Sequence, residues 1–518
     1  MATIAAPTGG PTAVLPRPST SILPVVAALG LLLSWLLAAV NKTVPDPYMD
    51  EIFHIPQAQK YCEGRFDEWD PKITTFPGLY LVSTLYFKAA STLNVGDFCS
   101  VAVLRSVNVL FALGNVVLCV LLRRHVAPQD PNALLHALRI AVFPPLFFFT
   151  FLFYTDGGAT FFVLLMALLA EKVDLLQYPP ARGSFMLSAT CGAVAVLFRQ
   201  TNIVWVVFVA GTVVVRCVEL AHSKFIYGSL KEDTSVNGTS SVTHSSLRVF
   251  LNFISVVISN IPSILLIVWP FVVLVLGFIS FLVMNGGIVV GDKSNHEVTF
   301  HGAQVLYFIV VAASGFGLSL IAPSQLKRLL KLVRRNAGSF RGVLFMFFVV
   351  AVTIGVIYRF SPVHKFMLAD NRHYTFYVWR KFFLKHEMAK FLPTPLYLFL
   401  GWHCWDELGM DMSFRVYCHL RVKKLFMNTS VPPGRRRSPL WKLVYALAVS
   451  LVLIPSPLVE PRYYCVPFIL LHLNTSNQSA FHLWVVTAAY IAVNALTLYI
   501  FLYHPYTWAD GSTARFMW

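Results

Sequence analysis

The chain is a succession of long apolar blocks, recurring from residue 23 to residue 503, with its charges gathered between them. A helix needs about 20 mostly apolar residues to cross the hydrocarbon of a bilayer. Blocks of that kind repeated along a whole chain leave one fold class open: an all-α, polytopic membrane protein. Composition agrees, since 57% of residues are hydrophobic and only 13% charged, against about 25% charged in an ordinary soluble domain. A soluble fold would lack the polar surface to stay dispersed.

We place spans near 23–41, 101–122, 139–154, 159–176, 185–198, 203–220, 262–284, 303–322, 343–359, 390–402, 441–458, 463–473 and 483–503. The blocks near 139, 185, 390 and 463 are short for a bilayer, so the expected count is about 11–14. Residues 249–284 are almost too long for one helix, and Pro262 and Pro270 would kink it. Residues 1–22 read as a disordered cytoplasmic tail and 23–518 as a single multi-spanning domain. Leu23 to Val40 reads as a signal anchor.

The net charge of +17 does not point to nucleic acid. The basic residues sit in connections, as Arg123-Arg124, Lys327 to Arg341 and Arg421 to Lys442. That is the distribution of cytoplasmic loops, facing anionic headgroups of the bilayer. With the N-terminus in the cytoplasm, the connections 123–138, 177–184, 221–248, 323–342 and 403–440 fall on that side, and 222–248 reads as a flexible loop. The basic connection 360–389 is the exception, because it falls on the lumenal side.

The first lumenal loop, 42–100, is flanked by Cys62 and Cys99, which could pair there. Cys119, Cys191 and Cys217 lie inside apolar blocks and read as small buried hydrophobes. There is no CxxC, no zinc-type Cys/His spacing, no Walker A loop, no GxGxxG before a helix, no HExxH and no GxSxG.

The unusual polar residues fall on the lumenal side: Asp50-Glu51, Asp156, Arg199-Gln200, His296-Glu297, His364 to Tyr374 and Glu460-Arg462. Ionisable groups hard against apolar spans are costly. Their gathering on one side predicts a single site at one membrane face.

Four segments can carry chemistry. In the first loop, Asp46-Pro47 reads as a helix cap, which would put Asp50 and Glu51 on one face with His54, continued by Gln57. Either carboxylate suits a general base for a sugar hydroxyl; acids at a helix start are otherwise favoured by the dipole alone. Arg199 ends an apolar span and could hold a phosphate, or simply reach the interface. Asp370, Asn371, Arg372, His373 and Tyr374 offer groups for both an anion and a sugar, against a plain interfacial loop as the other reading. Glu460 and Arg462 lie between two apolar stretches, where they could pair with each other or serve a site.

The segments PYMDEIFHIPQAQKYCEGRF, WDPKITTFPGLYLVS, FRQTNIVW, GDKSNHE, ADNRHYTFYVWRK, EPRYY and RFMW closely resemble one family. It is the family of dolichyl-phosphate-glucose-dependent α-1,2-glucosyltransferases of N-glycan precursor assembly. The resemblance runs from residue 45 to the C-terminus. It implies a GT-C-type fold in the endoplasmic reticulum membrane, with lumenal loop helices. It implies dolichyl phosphate glucose as donor and a diglucosylated dolichyl-diphosphate-linked oligosaccharide as acceptor, with no metal or other cofactor. Asp50 matches the family's lumenal-loop base, with Glu51 its rival. Arg199, Arg372, His373 and Arg462 are then candidates for the donor phosphate. His54, Gln57, Asp156, Gln200, Asp370, Asn371, Tyr374 and Glu460 are candidates for the sugars.

Two alternatives stay open from the residues. One is a related transferase with a mannose donor, separated only by the long motifs. The other is an ion-coupled transporter, which would put ionisable groups at mid-membrane in two similar halves; the charges here cluster at one face instead. A non-catalytic membrane protein that kept the fold fits the intact Asp50-Glu51 pair less well.

Overall fold

The computed structural model describes residues 21–91, 99–175, 182–227, 246–292, 299–408 and 437–518. In chain order its helices are α1 (Ile22–Thr43), α2 (Glu51–Cys62), α3 (Gly78–Ser91), α4 (Val101–Val126), α5 (Ala133–Ala141), α6 (Pro144–Phe148), α7 (Asp156–Lys172), α8 (Arg182–Phe198), α9 (Ile203–Tyr227) and α10 (Ser246–Ser259). They continue as α11 (Ile261–Asn285), α12 (Gln304–Ser314), α13 (Pro323–Ala337), α14 (Phe340–Arg359), the short α15 (Lys365–Ala369) and α16 (Tyr374–Val378), α17 (Thr394–Glu407), α18 (Pro439–Leu453), α19 (Cys465–Leu473) and α20 (Ala480–Tyr503). One two-stranded hairpin, β1 (Tyr506–Thr507) with β2 (Thr513–Ala514), follows α20. The chain is an all-α polytopic membrane protein.

Among the described residues, six helices are long and apolar enough to cross a membrane alone: α1, α4, α9 with the turn before it, α11, α14 and α20. The expected count of 11–14 therefore exceeds the number of helices that can cross unaided. The shortness seen in the sequence has structural causes. The 139 block breaks between α5 and α6, where the pair bends by 67°. The 463 block yields only the nine residues of α19, all buried but Val466. The 249–284 stretch divides at Asn260, ahead of Pro262, while Pro270 sits inside an unbroken α11.

The core lies among α4, α7, α8, α9, α18 and α19, where Phe143 stacks on Phe468 at 3.9 Å between ring centres. On α1, α11 and α14 large apolar side chains such as Trp35, Val283 and Phe347 stay exposed, as lipid-facing helices require.

Polar groups gather at both ends of the bundle. At one end Arg123 is fully buried, 2.7 Å from Asp130, and donates to the carbonyls of Leu473 (3.0 Å) and Thr475 (2.7 Å). It closes the C-terminal end of α19 rather than facing headgroups, which corrects that expectation for this residue. A buried cation is tolerable only with such partners. The basic α13 is exposed as expected, with Arg328 2.8 Å from Asp406. The other end holds the expected site residues. His296 and Glu297, and the interior of the 222–248 loop, lie outside the described residues.

At that second end the first loop is sewn to its surroundings. Cys62 and Cys99 form a disulfide. Gly78 abuts the end of α8 so closely that an added Cβ would meet the Leu197 carbonyl at 2.6 Å. Gly291 adopts φ +75°, and a Cβ there would lie 2.3 Å from the Pro71 oxygen. Its neighbour Asp292 donates its amide to that same oxygen at 2.8 Å.

Candidate active site

The site starts from two polar residues three apart on α4. Arg105 and Asn108 are fully buried on one face of an apolar helix, so each must find partners. Arg105 takes the first loop. Its guanidinium bonds Glu51 at 2.9 and 2.6 Å and donates to the Val44 and Asp46 carbonyls at 2.7 and 3.0 Å. Asn108 donates to the Leu152 and Tyr154 carbonyls at 2.6 and 2.9 Å, which fixes the extended link into α7. The two segments then meet: Glu51 also accepts from the Phe153 amide at 2.6 Å, and the Tyr154 hydroxyl accepts from the Asp50 amide at 3.2 Å.

The first helix of the loop begins at Glu51, not after Asp46-Pro47. Arg105 claims the Asp46 carbonyl, and the Glu51 carboxylate accepts the Tyr48 amide at 3.0 Å, so the start is displaced by one turn. Met49 turns the corner at φ 58°. Asp50 becomes the residue before the helix, and its side chain is 44% exposed, whereas that of Glu51 is fully buried. The pair expected to share a face is split.

Three carboxylates and two arginines converge here: Asp50, Asp156 and Glu460 with Arg199 and Arg462. Arg462 Nη1 lies 3.4 Å from Asp50 Oδ2 and 3.8 Å from Asp156 Oδ2, and its Nε is 2.9 Å from Glu460. Its guanidinium stacks on Phe149 and Tyr154, each at 5.1 Å. Arg199 pairs with the other oxygen of Asp156 and lies over Tyr463 at 5.3 Å. The expected Glu460–Arg462 pair thus exists, and Arg462 reaches further to two more carboxylates.

Two cavities meet at Arg462. One, of about 280 Å³, runs from Asp156 and Arg199 past Gln200 to Asn202 and out between the apolar side chains of Ile288, Val289, Leu451 and Val452. Ile203, Val204 and Trp205 at the start of α9 line it as well. The other cavity, of about 480 Å³, holds Asp50, Asp370, Arg372, His373 and Glu460 with a rim of aromatic rings.

Of the remaining candidates Gln200 lines the smaller cavity and Asp370, Arg372 and His373 the larger, while His54, Gln57, Asn371 and Tyr374 line neither. His54 Nδ1 is 2.5 Å from the Tyr80 hydroxyl. Burial holds its imidazole below the ordinary value, against the opposing pull of Asp50, so it is neutral at pH 7. Gln57 spends both ends of its amide on the first loop, at Glu68 O (2.7 Å) and Asp70 N (2.9 Å). Gln200 likewise donates to Thr74 O at 2.8 Å. Arg372 grips Asp370 with two bonds, at 2.8 and 2.7 Å. Burial raises the Asp370 carboxyl, but His373 and Arg372 outweigh it and hold the group below the usual carboxylate range. Asn371 accepts from Tyr506 and Trp508, both at 2.9 Å, and the Tyr374 hydroxyl is 2.8 Å from that of Thr497. Gln57, Gln200, Asn371 and Tyr374 therefore serve the frame with the groups expected to meet a sugar. Among the described residues no cluster of His, Cys, Asp and Glu could hold a metal ion.

Sequence reading missed Arg105, Tyr154 and the two tryptophans Trp508 and Trp518 that line the larger cavity. An arginine five residues into an apolar helix was a legible signal of a buried ion pair. Tyr154 and the tryptophans carried no such mark among 14% aromatic residues.

An exposed carboxylate beside an arginine shared by two cavities marks one candidate site in a polytopic membrane protein. The DIE2/ALG10 family pattern matches residues 44–473. A rat protein named Dol-P-Glc:Glc(2)Man(9)GlcNAc(2)-PP-Dol alpha-1,2-glucosyltransferase is 37% identical over 93% of this chain and 95% of its own length. A human protein of the same name is 36% identical with the same coverage, and one from Arabidopsis thaliana is 32% identical over 92% of this chain and 96% of its own. The chain belongs to the DIE2/ALG10 family.

Proposed function

We propose that the chain completes a lipid-linked N-glycan precursor by adding its last glucose. The donor is dolichyl phosphate β-glucose. The acceptor is the diglucosylated high-mannose oligosaccharide on dolichyl diphosphate, and the site faces the lumen of the endoplasmic reticulum. The names of relatives that match nearly end to end support the acceptor and the linkage. The apolar groove ending at Arg199 suits a donor whose glucose rides on a lipid phosphate.

A β-linked donor and an α-linked product require inversion, so a single in-line displacement suffices. The acceptor 2-hydroxyl oxygen attacks the anomeric carbon while Asp50 takes its proton. The bond from that carbon to the phosphate oxygen breaks, and the electron pair leaves with dolichyl phosphate. Arg199 and Arg462 hold the negative charge that grows there. Glu51 anchors the loop and carries no proton in the reaction. The observation that carries this reading is Arg462, which touches the exposed Asp50 from one cavity and Asp156 from the other.

The test is a transfer assay with purified protein, synthetic dolichyl phosphate glucose and the diglucosylated lipid-linked acceptor, run beside dolichyl phosphate mannose. Glucosylated product from the wild type and none from Asp50→Asn supports the proposal. Transfer of mannose alone, or no transfer by folded protein, overturns it.

A further inference from the structure

We infer that residues 504–518 form the wall that recognises the acceptor oligosaccharide, with Trp508 and Trp518 as its sugar platform. The inference rests on the function proposed above and assigns the larger cavity to one of the two substrates.

The segment leaves α20, pairs Tyr506 with Ala514 and Thr507 with Thr513, and then turns back into the protein. Its return is fixed at three points. The Tyr48 hydroxyl accepts from the Arg515 amide at 2.7 Å and donates to the Arg515 carbonyl at 2.9 Å. The Met517 amide donates to Arg372 O at 2.8 Å, and His373 Nδ1 donates to Trp518 O at 2.9 Å. Tyr48 lies two residues before Asp50, so the wall is registered directly to the loop that carries the proposed base.

Both tryptophans line the cavity that holds Asp50, and neither lines the apolar groove. The 370–374 segment backs each of them. Arg372 covers the Trp508 ring at 4.4 Å, and Asn371 accepts from its indole nitrogen. Tyr374 stacks on Trp518 at 4.2 Å. The Trp518 indole nitrogen itself is buried with no hydrogen-bond partner. Rigid aromatic rings with charged and hydroxyl neighbours match the apolar C–H faces and hydroxyl edges of sugars. The wall also extends from the end of a spanning helix, where a large glycan arrives from water. The donor brings one sugar on a lipid and has its groove elsewhere.

Full-length Trp508→Phe, Trp518→Ala and Trp518→Phe are compared with wild type for transfer kinetics and thermal midpoint. Trp518→Ala is expected to raise the acceptor KM about tenfold or more, as loss of a tryptophan hot spot does, with donor KM and midpoint unchanged. Trp518→Phe, which keeps a ring, is expected to recover most of that loss, and Trp508→Phe to stay within a few-fold of the wild-type acceptor KM. An unchanged acceptor KM overturns the inference, as does an equal rise for donor and acceptor or a lowered midpoint. If wild type transfers nothing, the functional reading fails instead. Titration of wild type and Trp518→Ala with the free diglucosylated oligosaccharide then decides the wall alone: binding lost in the variant supports it, and no binding to wild type, or equal binding, overturns it.

Discussion

Asp50 and Glu51 are neighbours in the chain, and their carboxylates face opposite ways. Asp50 opens into a cavity 3.4 Å from Arg462, while Glu51 is sealed against Arg105 at 2.6 Å. Two substitutions that look alike should therefore fail differently. Asp50→Asn is expected to lose roughly 10²–10⁴-fold in kcat, the usual worth of a general base, with its thermal midpoint retained. Glu51→Ala leaves a buried guanidinium unpaired and should cost about 3–5 kcal/mol of stability. Kinetics and thermal unfolding of both variants in detergent check this; loss of stability in Asp50→Asn, or none in Glu51→Ala, contradicts it.

In the proposed mechanism Arg199 and Arg462 divide the donor phosphate between them. Arg199→Ala is expected to raise the donor KM with little effect on acceptor KM. Arg462→Ala should depress kcat as well, because it also removes the cation beside Asp50. Arg462→Lys should recover little, since a point charge cannot satisfy Asp50, Asp156 and Glu460 in separate directions. Initial-rate kinetics with both substrates varied separate the two arginines.

Gly291→Ala should destabilise the first loop. The new methyl group would lie 2.3 Å from a backbone oxygen, in a φ range that L-residues avoid. A cost of about 1–3 kcal/mol follows from overpacking alone. A thermal midpoint equal to wild type would count against the tight seam described between Gly291 and Pro71.

Reduction of the Cys62–Cys99 bond should loosen the same loop. The bond joins residues 37 apart, which by loop-closure entropy is worth about 3–4 kcal/mol. Cys99→Ser is expected to lower the thermal midpoint and to abolish the response to dithiothreitol. A midpoint insensitive to both treatments would mean that the loop is held by its other contacts.

Stability should fall with mild acid in part through His54. Its folded value lies below 6.5, so between the two values the unfolded chain binds the extra proton. Above pH 6.5 the group contributes no pH dependence. As pH drops from 6.5 towards the folded value, stability declines by up to about 1.4 kcal/mol per pH unit. Thermal unfolding of wild type and His54→Gln at pH 7.5 and 5.5 reads this: the wild type should lose more on acidification.

The sequence by itself determined the all-α membrane class, because repeated apolar blocks have no other stable solution. It also pointed to one end of the bundle as the place of a candidate site, because charges beside spans must be satisfied locally or used. The segments holding Asp50, Asp156, Arg199, Asp370 to Tyr374 and Arg462 were all legible in this way. Only the tertiary structure decided which side chain does what. Asp50 and Glu51 are equivalent until Arg105, 54 residues on, claims one of them. Arg372 and Arg462 look interchangeable until Asp370 and Trp508 hold the one, and Asp50, Asp156 and Glu460 gather on the other. The number of crossings was likewise undecidable from hydropathy, since an enclosed nine-residue helix and a lipid-facing one can be equally apolar. Composition reports how much apolar surface must be hidden. Whether lipid or protein hides it, and which charge meets which partner, depends on contacts between residues far apart in the chain.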